Sequence, residues 1–203
     1  MTTPLTALLF GNESLTRECG EAWMNRGHRL AAVVTENPVV SAWATARGIA
    51  VAAPSAVPQV SVDVVLSIAW LRMISSDVLA QARLGGVNFH DGPLPQRAGL
   101  NAPVWALIEG AAEHGISWHR ITAGVDEGDV LVERHFAIGP TDTALTLNTA
   151  CFEAALDSFP QLMDRLEAGN LAGRKQDPAA RHEYRRADRP AAAGMLDFSQ
   201  SAE

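Results

Sequence analysis

Cysteine is scarce in this sequence. Only two are present, Cys19 and Cys151, which lie far apart in the chain, and neither has a nearby partner at metal-ligand spacing. The sequence therefore indicates neither a disulfide framework nor a thiolate zinc site. Free thiols are typical of a reducing compartment, so we expect a cytoplasmic protein.

Long hydrophobic runs and clustered basic residues are scarce too. The apolar run at residues 5–10 is too short for a signal peptide or a membrane span, and no basic segment precedes it. The formal net charge is −7, and the one basic cluster lies at residues 174–189. Binding to a nucleic-acid backbone needs clustered Lys and Arg. We therefore expect neither a membrane nor a nucleic acid as a partner.

Apolar runs and helical patterns alternate along the N-terminal half. With 203 residues, of which 47% are hydrophobic, the chain can form a full core. Continuous apolar runs are typical of strands covered on both faces. The pattern predicts an α/β fold with a Rossmann-like, doubly wound and mostly parallel sheet. Strands are predicted at residues 5–10, 28–35, 49–51, 62–68 and from 87 onward, and helices at 14–26, 40–47 and 75–82.

Ligands of such a sheet bind beyond the carboxyl ends of its strands, where residues 11–12, 69–72 and 88–90 should meet. A dinucleotide is the obvious candidate, but the turn after the first strand has one glycine, Gly11, where the phosphate fingerprint needs three. Glu13 also places negative charge where a pyrophosphate would bind. These residues argue against a nicotinamide or flavin cofactor.

The second half of the chain contains a helical pattern at residues 101–109 and two extended runs, 115–121 and 130–138, that could pair. The loop between the two runs is rich in acids and glycine, which is typical of a solvated hairpin turn. A long helix is predicted from residue 144 to about 167. Pro160 should kink that helix or mark a boundary.

Asn88 and His90 are the first candidate for a functional site. They are two residues apart on a predicted strand, so both side chains point to one face while Phe89 points to the other. The open alternative is a strand end at which Asn88 caps a turn and His90 is a half-buried structural residue. The downstream sequence has to decide between the two interpretations.

Three stretches together resemble the catalytic domain of folate-dependent formyltransferases, a group that includes the methionyl-tRNA, glycinamide ribonucleotide and amino-sugar enzymes. They are residues 88–90 followed by Pro-Leu-Pro and Gly99, then 115–119, then 125–131. The resemblance covers roughly residues 5–170 and implies a Rossmann-like domain of the formyltransferase type that binds 10-formyltetrahydrofolate. It implies catalytic roles for Asn88, His90 and Asp126. Asp126 is preferred over Asp129 because the aspartate of the family precedes x-Gly.

The resemblance also implies where the folate binds. Family members hold the pterin ring largely with backbone groups and apolar walls after the fourth strand, and Asp126 should also contact the cofactor. The corresponding residues here are Trp70, Leu71, Arg72, Met73 and Ile74. The alternative is that Trp70 and Ile74 belong to the core and that Arg72 is a solvated charge.

The chain departs from the common family pattern beside His90. Many members have His-Pro-Ser-Leu-Leu-Pro-x-Tyr-Arg-Gly, whereas residues 90–99 read His-Asp-Gly-Pro-Leu-Pro-Gln-Arg-Ala-Gly, so the Ser, the Tyr and the Arg are absent. This form is similar to formyltransferase domains embedded in larger biosynthetic enzymes. Residues 194–203 resemble the linker of the family. We therefore expect a catalytic domain at 1–170 and, at 171–203, a linker or tail leading toward a further C-terminal domain.

The arginine-rich stretch at residues 181–186 has two interpretations. It could contact a phosphate group of a carrier or nucleotide, but a solvated linker is the simpler interpretation and the one we expect.

Formyl transfer can be performed by these residue types. An N–H of Asn88 and an N–H of protonated His90 could stabilise negative charge on the formyl oxygen. Asp126 could favour the protonated imidazole, or hold a water that relays the proton from the amine to the folate nitrogen.

Metal catalysis is not indicated, because the roles given to Asn88, His90 and Asp126 need no metal. His114, His119 and His135 lack compact ligand spacing, and alternation puts Ser117 and His119 on one strand face.

We predict an N-formyltransferase that acts on an amine of a small-molecule or carrier-tethered acceptor. The open alternatives are a 10-formyltetrahydrofolate hydrolase, a methionyl-tRNA formyltransferase, a binding module without activity and a sugar-nucleotide or dinucleotide oxidoreductase.

Overall fold

The structure, a computed structural model, describes residues 3–190. In chain order its elements are β1 (Thr6–Phe10), α1 (Ser14–Asn25), β2 (Arg29–Val34), α2 (Pro38–Ala46), β3 (Val51–Ala52), β4 (Val64–Ser67), α3 (Ser76–Leu79), β5 (Gly86–His90), β6 (Ala98–Gly99), α4 (Ala102–Ile108), β7 (Glu113–Arg120), β8 (Val130–Ala137), α5 (Ala144–Glu167) and β9 (Glu183–Tyr184). Short 3₁₀ turns lie at Pro54–Ala56 and Pro178–Ala180.

The central sheet has seven strands in the order β3-β2-β1-β4-β5-β7-β8, and β6 and β9 form a separate parallel pair. β1 to β5 run parallel, whereas β7 is antiparallel to both β5 and β8. From β1 the chain proceeds outward through β2 and β3 on one side, and through β4 and β5 on the other. This reversal confirms the predicted Rossmann-like, doubly wound and mostly parallel α/β sheet.

Apolar side chains cover both faces of the sheet, because neighbours along a strand point to opposite sides. On the face covered by α1 and α5, Trp118 is fully buried, and its indole N–H donates to Ser158 Oγ at 2.9 Å. The other face buries Leu8 and Phe10 together with Val78 of α3. Burying an apolar side chain of this kind contributes about 1.5–3 kcal/mol. The two packed faces therefore hold the central strands in a fixed register.

The helix predicted at residues 75–82 is shorter in the structure, where α3 ends at Leu79. Ala82 forms an isolated bridge with Val62, and the Arg83 N–H donates to the Val62 carbonyl. These backbone groups pair with the segment that precedes β4 and cannot continue a helix.

α5 does not end at Pro160, where a kink or a boundary was predicted. Pro160 itself is exposed, while its neighbours Phe159 and Leu162 are fully buried against the sheet. A proline inside a helix costs about 3 kcal/mol, which the burial of two such side chains offsets.

Residues 171–184 contact the domain. Leu171 and Tyr184 are buried, β9 pairs with β6, and the ring of Tyr184 stacks on Trp105 with centroids 4.9 Å apart. The interpretation of residues 181–186 as solvated is therefore right for the exposed Arg185 and Arg186 and wrong for Tyr184.

The division of the chain at residue 170 into a domain and a tail stays a prediction. The stretch 194–203, which resembles a linker, lies outside the described residues. Within residues 3–190, no helix is both long enough and apolar enough to cross a membrane.

Candidate functional site

A row of polar side chains crosses three neighbouring strands at the centre of the sheet. In the strand register, Asn88 of β5 lies opposite Ser67 of β4 on one side and His119 of β7 on the other. Ser67 Oγ donates to Asn88 Oδ1 at 2.6 Å, and Asn88 Nδ2 lies 3.1 Å from His119 Nε2. The row therefore fixes the Asn88 carboxamide from both sides.

His90 lies on the same strand face as Asn88, as the alternation predicts, and its side chain is buried. Its Nε2–H donates to the carbonyl oxygen of Arg97 at 2.6 Å, and its Nδ1 lies 3.5 Å from Asp126 Oδ2. Both ring nitrogens thus face oxygen atoms, those of the Arg97 carbonyl and the Asp126 carboxylate. A formyl oxygen would receive the Nε2–H only in competition with the Arg97 carbonyl.

Asp126 lies in the loop between β7 and β8 and has a left-handed backbone conformation, with φ of 49°. Its Oδ1 lies 3.2 Å from His119 Nε2, and its Oδ2 accepts the Gly99 N–H at 2.9 Å. Burial raises the pKa of Asp126, but the His90 charge, the His119 hydrogen bond and the Gly99 N–H together hold this pKa below its usual range. Asp126 is therefore ionised at neutral pH.

Asn88, His90 and Asp126, named together from the sequence, thus meet in one cluster. Asp129, the acid that the resemblance set aside, is not part of the cluster. It precedes β8 and lies against Gly173, and its carbonyl oxygen accepts the Arg120 N–H at 3.0 Å.

His119 is the member of the cluster that the sequence did not identify, because it was considered only as a metal ligand. Its Nδ1–H donates to the Arg120 carbonyl oxygen at 2.9 Å, and its Nε2 faces Asn88 and Asp126 together. Because Nδ1 carries the proton in its bond to Arg120, Nε2 of a neutral imidazole can accept one amide N–H of Asn88, and the other N–H of Asn88 remains for a ligand oxygen. The signal in the sequence was the shared face of Ser117 and His119, but the register that pairs His119 with Asn88 is visible only in the structure.

The loop that follows His90 is held tightly by β7. The Asp91 carbonyl oxygen accepts from His114 Nε2 at 2.8 Å, and Ser117 Oγ donates to the Gly92 carbonyl oxygen at 2.9 Å. A Cβ atom on Gly92 would lie 2.7 Å from the Arg97 carbonyl oxygen and 2.8 Å from His90 Nε2. Glycine at this position, where the chain departs from the family pattern, is therefore required for the contact between His90 and Arg97.

The carboxyl group of Asp91 lies at the edge of the cluster, with Oδ1 3.9 Å from His90 Nδ1 and about a third of the side chain exposed. Burial raises the pKa of Asp91; the His90 charge opposes this effect and the charge of Asp126 adds to it. Two carboxyl groups thus flank the same nitrogen of His90.

His114 is fully buried beneath the loop, and this burial lowers its pKa from 6.5 to about 4. The unfolded chain binds a proton at His114 below pH 6.5 that the folded chain excludes, so the free energy of unfolding should fall as the pH drops from 6.5 to about 4. The gap between the two values corresponds to roughly 3 kcal/mol at most. We expect His114→Gln, which keeps an N–H for Asp91, to lose this part of the pH dependence in urea unfolding. An unchanged pH dependence would contradict the assignment.

The predicted folate-binding stretch, 70–74, follows β4, three residues beyond Ser67. Trp70 is buried and packs edge-on against Phe10, with ring centroids 5.7 Å apart, and its role toward a folate stays a prediction. Leu71 and Met73 are 86% and 61% exposed and present apolar surface.

Two polar side-chain groups of residues 70–74 differ in whether they have a partner. The Arg72 guanidinium pairs with Glu36 Oε2 at 2.8 Å. Trp70 Nε1 has no hydrogen-bond partner within the described part of the chain.

Two other features lie away from the cluster. Among residues 3–190, no group of three or more His, Cys, Asp or Glu side chains has the geometry to hold a metal ion, and His135 pairs with Glu133 at the surface. An open cavity of about 610 Å³ lies beside Arg83 and Arg120, and it contains none of the cluster residues. We place the candidate site at the cluster, because the buried ionisable groups are there and the cavity is shallow.

A family model described as formyl transferase matches residues 18–163 of the chain. A methionyl-tRNA formyltransferase of Anaeromyxobacter dehalogenans (strain 2CP-1 / ATCC BAA-258) is 31% identical over 180 residues, which cover 78% of this chain and 58% of that protein. One from Geobacter metallireducens (strain ATCC 53774 / DSM 7210 / GS-15) is 33% identical over 132 residues, 64% of this chain and 42% of that protein. The chain thus spans about half the length of the curated relatives it matches.

Solved structures share the fold. An N-formyltransferase of Helicobacter canadensis, in complex with folinic acid and dTDP-3-aminofucose, has a TM-score of 0.82 at 16% identity, covering 98% of this chain and 77% of that chain. Glycinamide ribonucleotide transformylase 1 of Symbiobacterium toebii has a TM-score of 0.72 at 21% identity, covering 86% of this chain and 95% of that chain. Taken with the family model, these matches show that the chain belongs to the formyl transferase family.

Proposed function

We propose that the chain transfers a formyl group from 10-formyltetrahydrofolate to an amine. The observation that carries the proposal is the cluster of Asn88, His90 and Asp126, in which one carboxamide, one imidazole and one carboxylate meet at the carboxyl end of β5. Family membership gives the reaction class. The cluster supplies the donor, the proton carrier and the charge that the reaction needs.

Asn88 donates an amide N–H to the formyl oxygen, on which negative charge develops as the amine nitrogen attacks the formyl carbon. His90 and Asp126 handle the proton. The new C–N bond forms to the acceptor and the bond from the formyl carbon to the folate nitrogen breaks, so one proton must move from the acceptor nitrogen to the folate nitrogen. Asp126, held ionised, stabilises positive charge on His90 while this proton is in transit.

The folate binds, in this proposal, to Trp70, Leu71, Arg72, Met73 and Ile74 and to Asp126. Exposed Leu71 and Met73 offer an apolar wall for a flat ring, and Trp70 Nε1 is buried without a hydrogen-bond partner in the described part of the chain. Ser67, which orients Asn88, ends the strand that leads into this stretch. The stretch is therefore continuous with the cluster, as a ligand that delivers its formyl group to Asn88 requires.

The acceptor is proposed to be an amine of a small molecule or of a carrier-tethered group. The net charge of −7 disfavours a polyanionic nucleic acid. A second candidate, methionyl-tRNA, is favoured by the names of the sequence relatives.

We also propose a cytoplasmic setting, since Cys19 and Cys151 are buried free thiols.

The test is a screen for formylated products by mass spectrometry. The chain is incubated with 10-formyltetrahydrofolate and a panel of amino acids, amino sugars, hydroxylamines, carrier-tethered aminoacyl groups and methionyl-tRNA. We expect one class to gain the mass of a formyl group, with product formation strongly reduced in Asp126→Asn and retained in Asp129→Asn. Formate release without any formylated amine would instead show a hydrolase. Folate binding with neither outcome would overturn the proposal.

A further inference from the structure

The backbone of Asp126 is held by side chains from the stretch after α5. Gln176 Nε2 donates to the Asp126 carbonyl oxygen at 2.7 Å and to the Gly128 carbonyl oxygen at 2.7 Å. Arg181 Nη1 donates to the Asp126 carbonyl oxygen at 3.3 Å, and its Nη2 donates to the Val125 carbonyl oxygen at 2.5 Å. Two side chains therefore hold three backbone carbonyl groups of the loop, those of Val125, Asp126 and Gly128.

Asp126 needs such support because of its backbone conformation. A non-glycine residue with φ of 49° costs of order 1–3 kcal/mol and persists only where its surroundings determine it. In this conformation the carboxylate reaches His90 and His119 at once. Relaxation of the loop would move the carboxylate away from both rings.

Gln176 is oriented for this task at a cost to stability. Both of its amide N–H groups are directed at loop carbonyls, and its Oε1 is buried without a hydrogen-bond partner in the part of the chain that the structure describes. A buried unsatisfied acceptor costs about 1–3 kcal/mol. Rotating the amide would place Oε1 against two carbonyl oxygens, so the observed orientation serves the loop.

The segment after α5 also fixes the contact between the Asp126 carboxylate and the backbone N–H of Gly99. Gly99 of β6, whose N–H donates to Asp126 Oδ2, pairs with Tyr184 of β9. A Cβ atom on Gly99 would lie 2.2 Å from the Tyr184 carbonyl oxygen, which shows how closely the two strands approach. The carboxylate is thus held on one side by β6 and β9, and its backbone on the other by Gln176 and Arg181.

We infer that Gln176 and Arg181 are positioning residues for formyl transfer, which hold Asp126 in the left-handed conformation that brings its carboxylate to His90 and His119. The inference rests on the proposed function where it assigns Asp126 a part in the reaction. It places two functional residues beyond residue 170, outside the domain that the sequence delimits.

Kinetics of single variants provide the first test. Gln176→Ala and Arg181→Ala should lower kcat between about tenfold and about a hundredfold, as displacing a reacting group by an ångström does, with KM for the folate changed less than about twofold. Arg181→Lys, which can still reach one carbonyl, should recover part of the loss. The matched controls are Lys175→Ala and Arg186→Ala, since both side chains are exposed. Melting temperatures establish that each variant is folded.

A double-mutant cycle separates positioning from general damage to the fold. If Gln176 acts through Asp126, then Gln176→Ala should not lower kcat further when it is added to Asp126→Asn. A further loss in the double variant that matches the loss in the single variant would overturn the inference.

A measurement on the free protein is independent of catalysis. In NMR spectra, the imidazole signals of His90 and His119 should move in Gln176→Ala toward their positions in Asp126→Asn, while the signals of surface His135 should not change. If the parent chain transfers no formyl group, the proposed function fails. The NMR comparison still decides whether Gln176 and Arg181 position Asp126. Unmoved signals in the folded Gln176→Ala and Arg181→Ala variants would overturn the inference.

Discussion

Asp126→Asn is expected to lower kcat for formyl transfer between about a hundredfold and about ten-thousandfold, the range that general acid–base catalysis contributes. The substitution preserves the shape of the side chain and leaves one oxygen to accept the Gly99 N–H. It removes the negative charge that faces His90 at 3.5 Å and His119 at 3.2 Å. The proton released by the acceptor amine would then lack its counter-charge in a site from which water is largely excluded.

The measurement is steady-state formation of the formylated product by Asp126→Asn, with Asp129→Asn as the matched control. Asp129 lies in the same loop and has the same chemistry but lies outside the cluster. Equal loss in the two variants would show that loop charge in general matters and would remove Asp126 from its proposed role. Retained activity in Asp126→Asn would do the same.

Asn88→Ala is expected to lower kcat about 10²–10³-fold, as the loss of one donor to a developing oxyanion does. The truncation also leaves Ser67 Oγ without its acceptor. Ser67→Ala keeps the carboxamide and removes only its orientation, so its effect on kcat should be smaller. Steady-state kinetics of the two variants, with folate affinity measured separately, distinguish donation from orientation. A rise in KM at unchanged kcat for Asn88→Ala would show that Asn88 only binds the substrate.

Asn88→Asp provides a sharper version of the same test. It keeps the shape and the Ser67 contact, removes both amide N–H groups and adds a negative charge near Asp126. We expect its kcat to lie below that of Asn88→Ala. An Asn88→Asp variant that is as active as the parent chain would contradict the donor role.

The strand pattern of the sequence predicts much of the fold and part of the site. Period two places Asn88 and His90 on one face, and the continuous apolar runs predict parallel strands covered on both sides. Asp126 came from a resemblance, since nothing in a loop of acids and glycines distinguishes it from Asp129 by physical chemistry alone. Its backbone conformation and its two histidine neighbours are tertiary features.

The residues that sequence reasoning missed are those whose role depends on contacts between distant segments. His119 joins the cluster through the register of β5 against β7, and that register is set by packing of both sheet faces. Gln176 and Arg181 reach Asp126 from about fifty residues further along the chain. The charge pattern of residues 181–186 predicted a solvated linker, and nothing in the sequence singled out Gln176.

Pairing between β5 and β7 decides which chemistry the site contains. On β7, Ser117 and His119 face the cluster, while Trp118 faces α5. A slip of one residue in this pairing would bring the Trp118 indole into the cluster and direct His119 into the apolar core. Insertions or deletions between residues 91 and 112 are therefore tolerable only where the strand pairing is conserved. The segment between β5 and β7 can therefore change in length and composition only while the antiparallel pairing keeps the His119 imidazole beside Asn88.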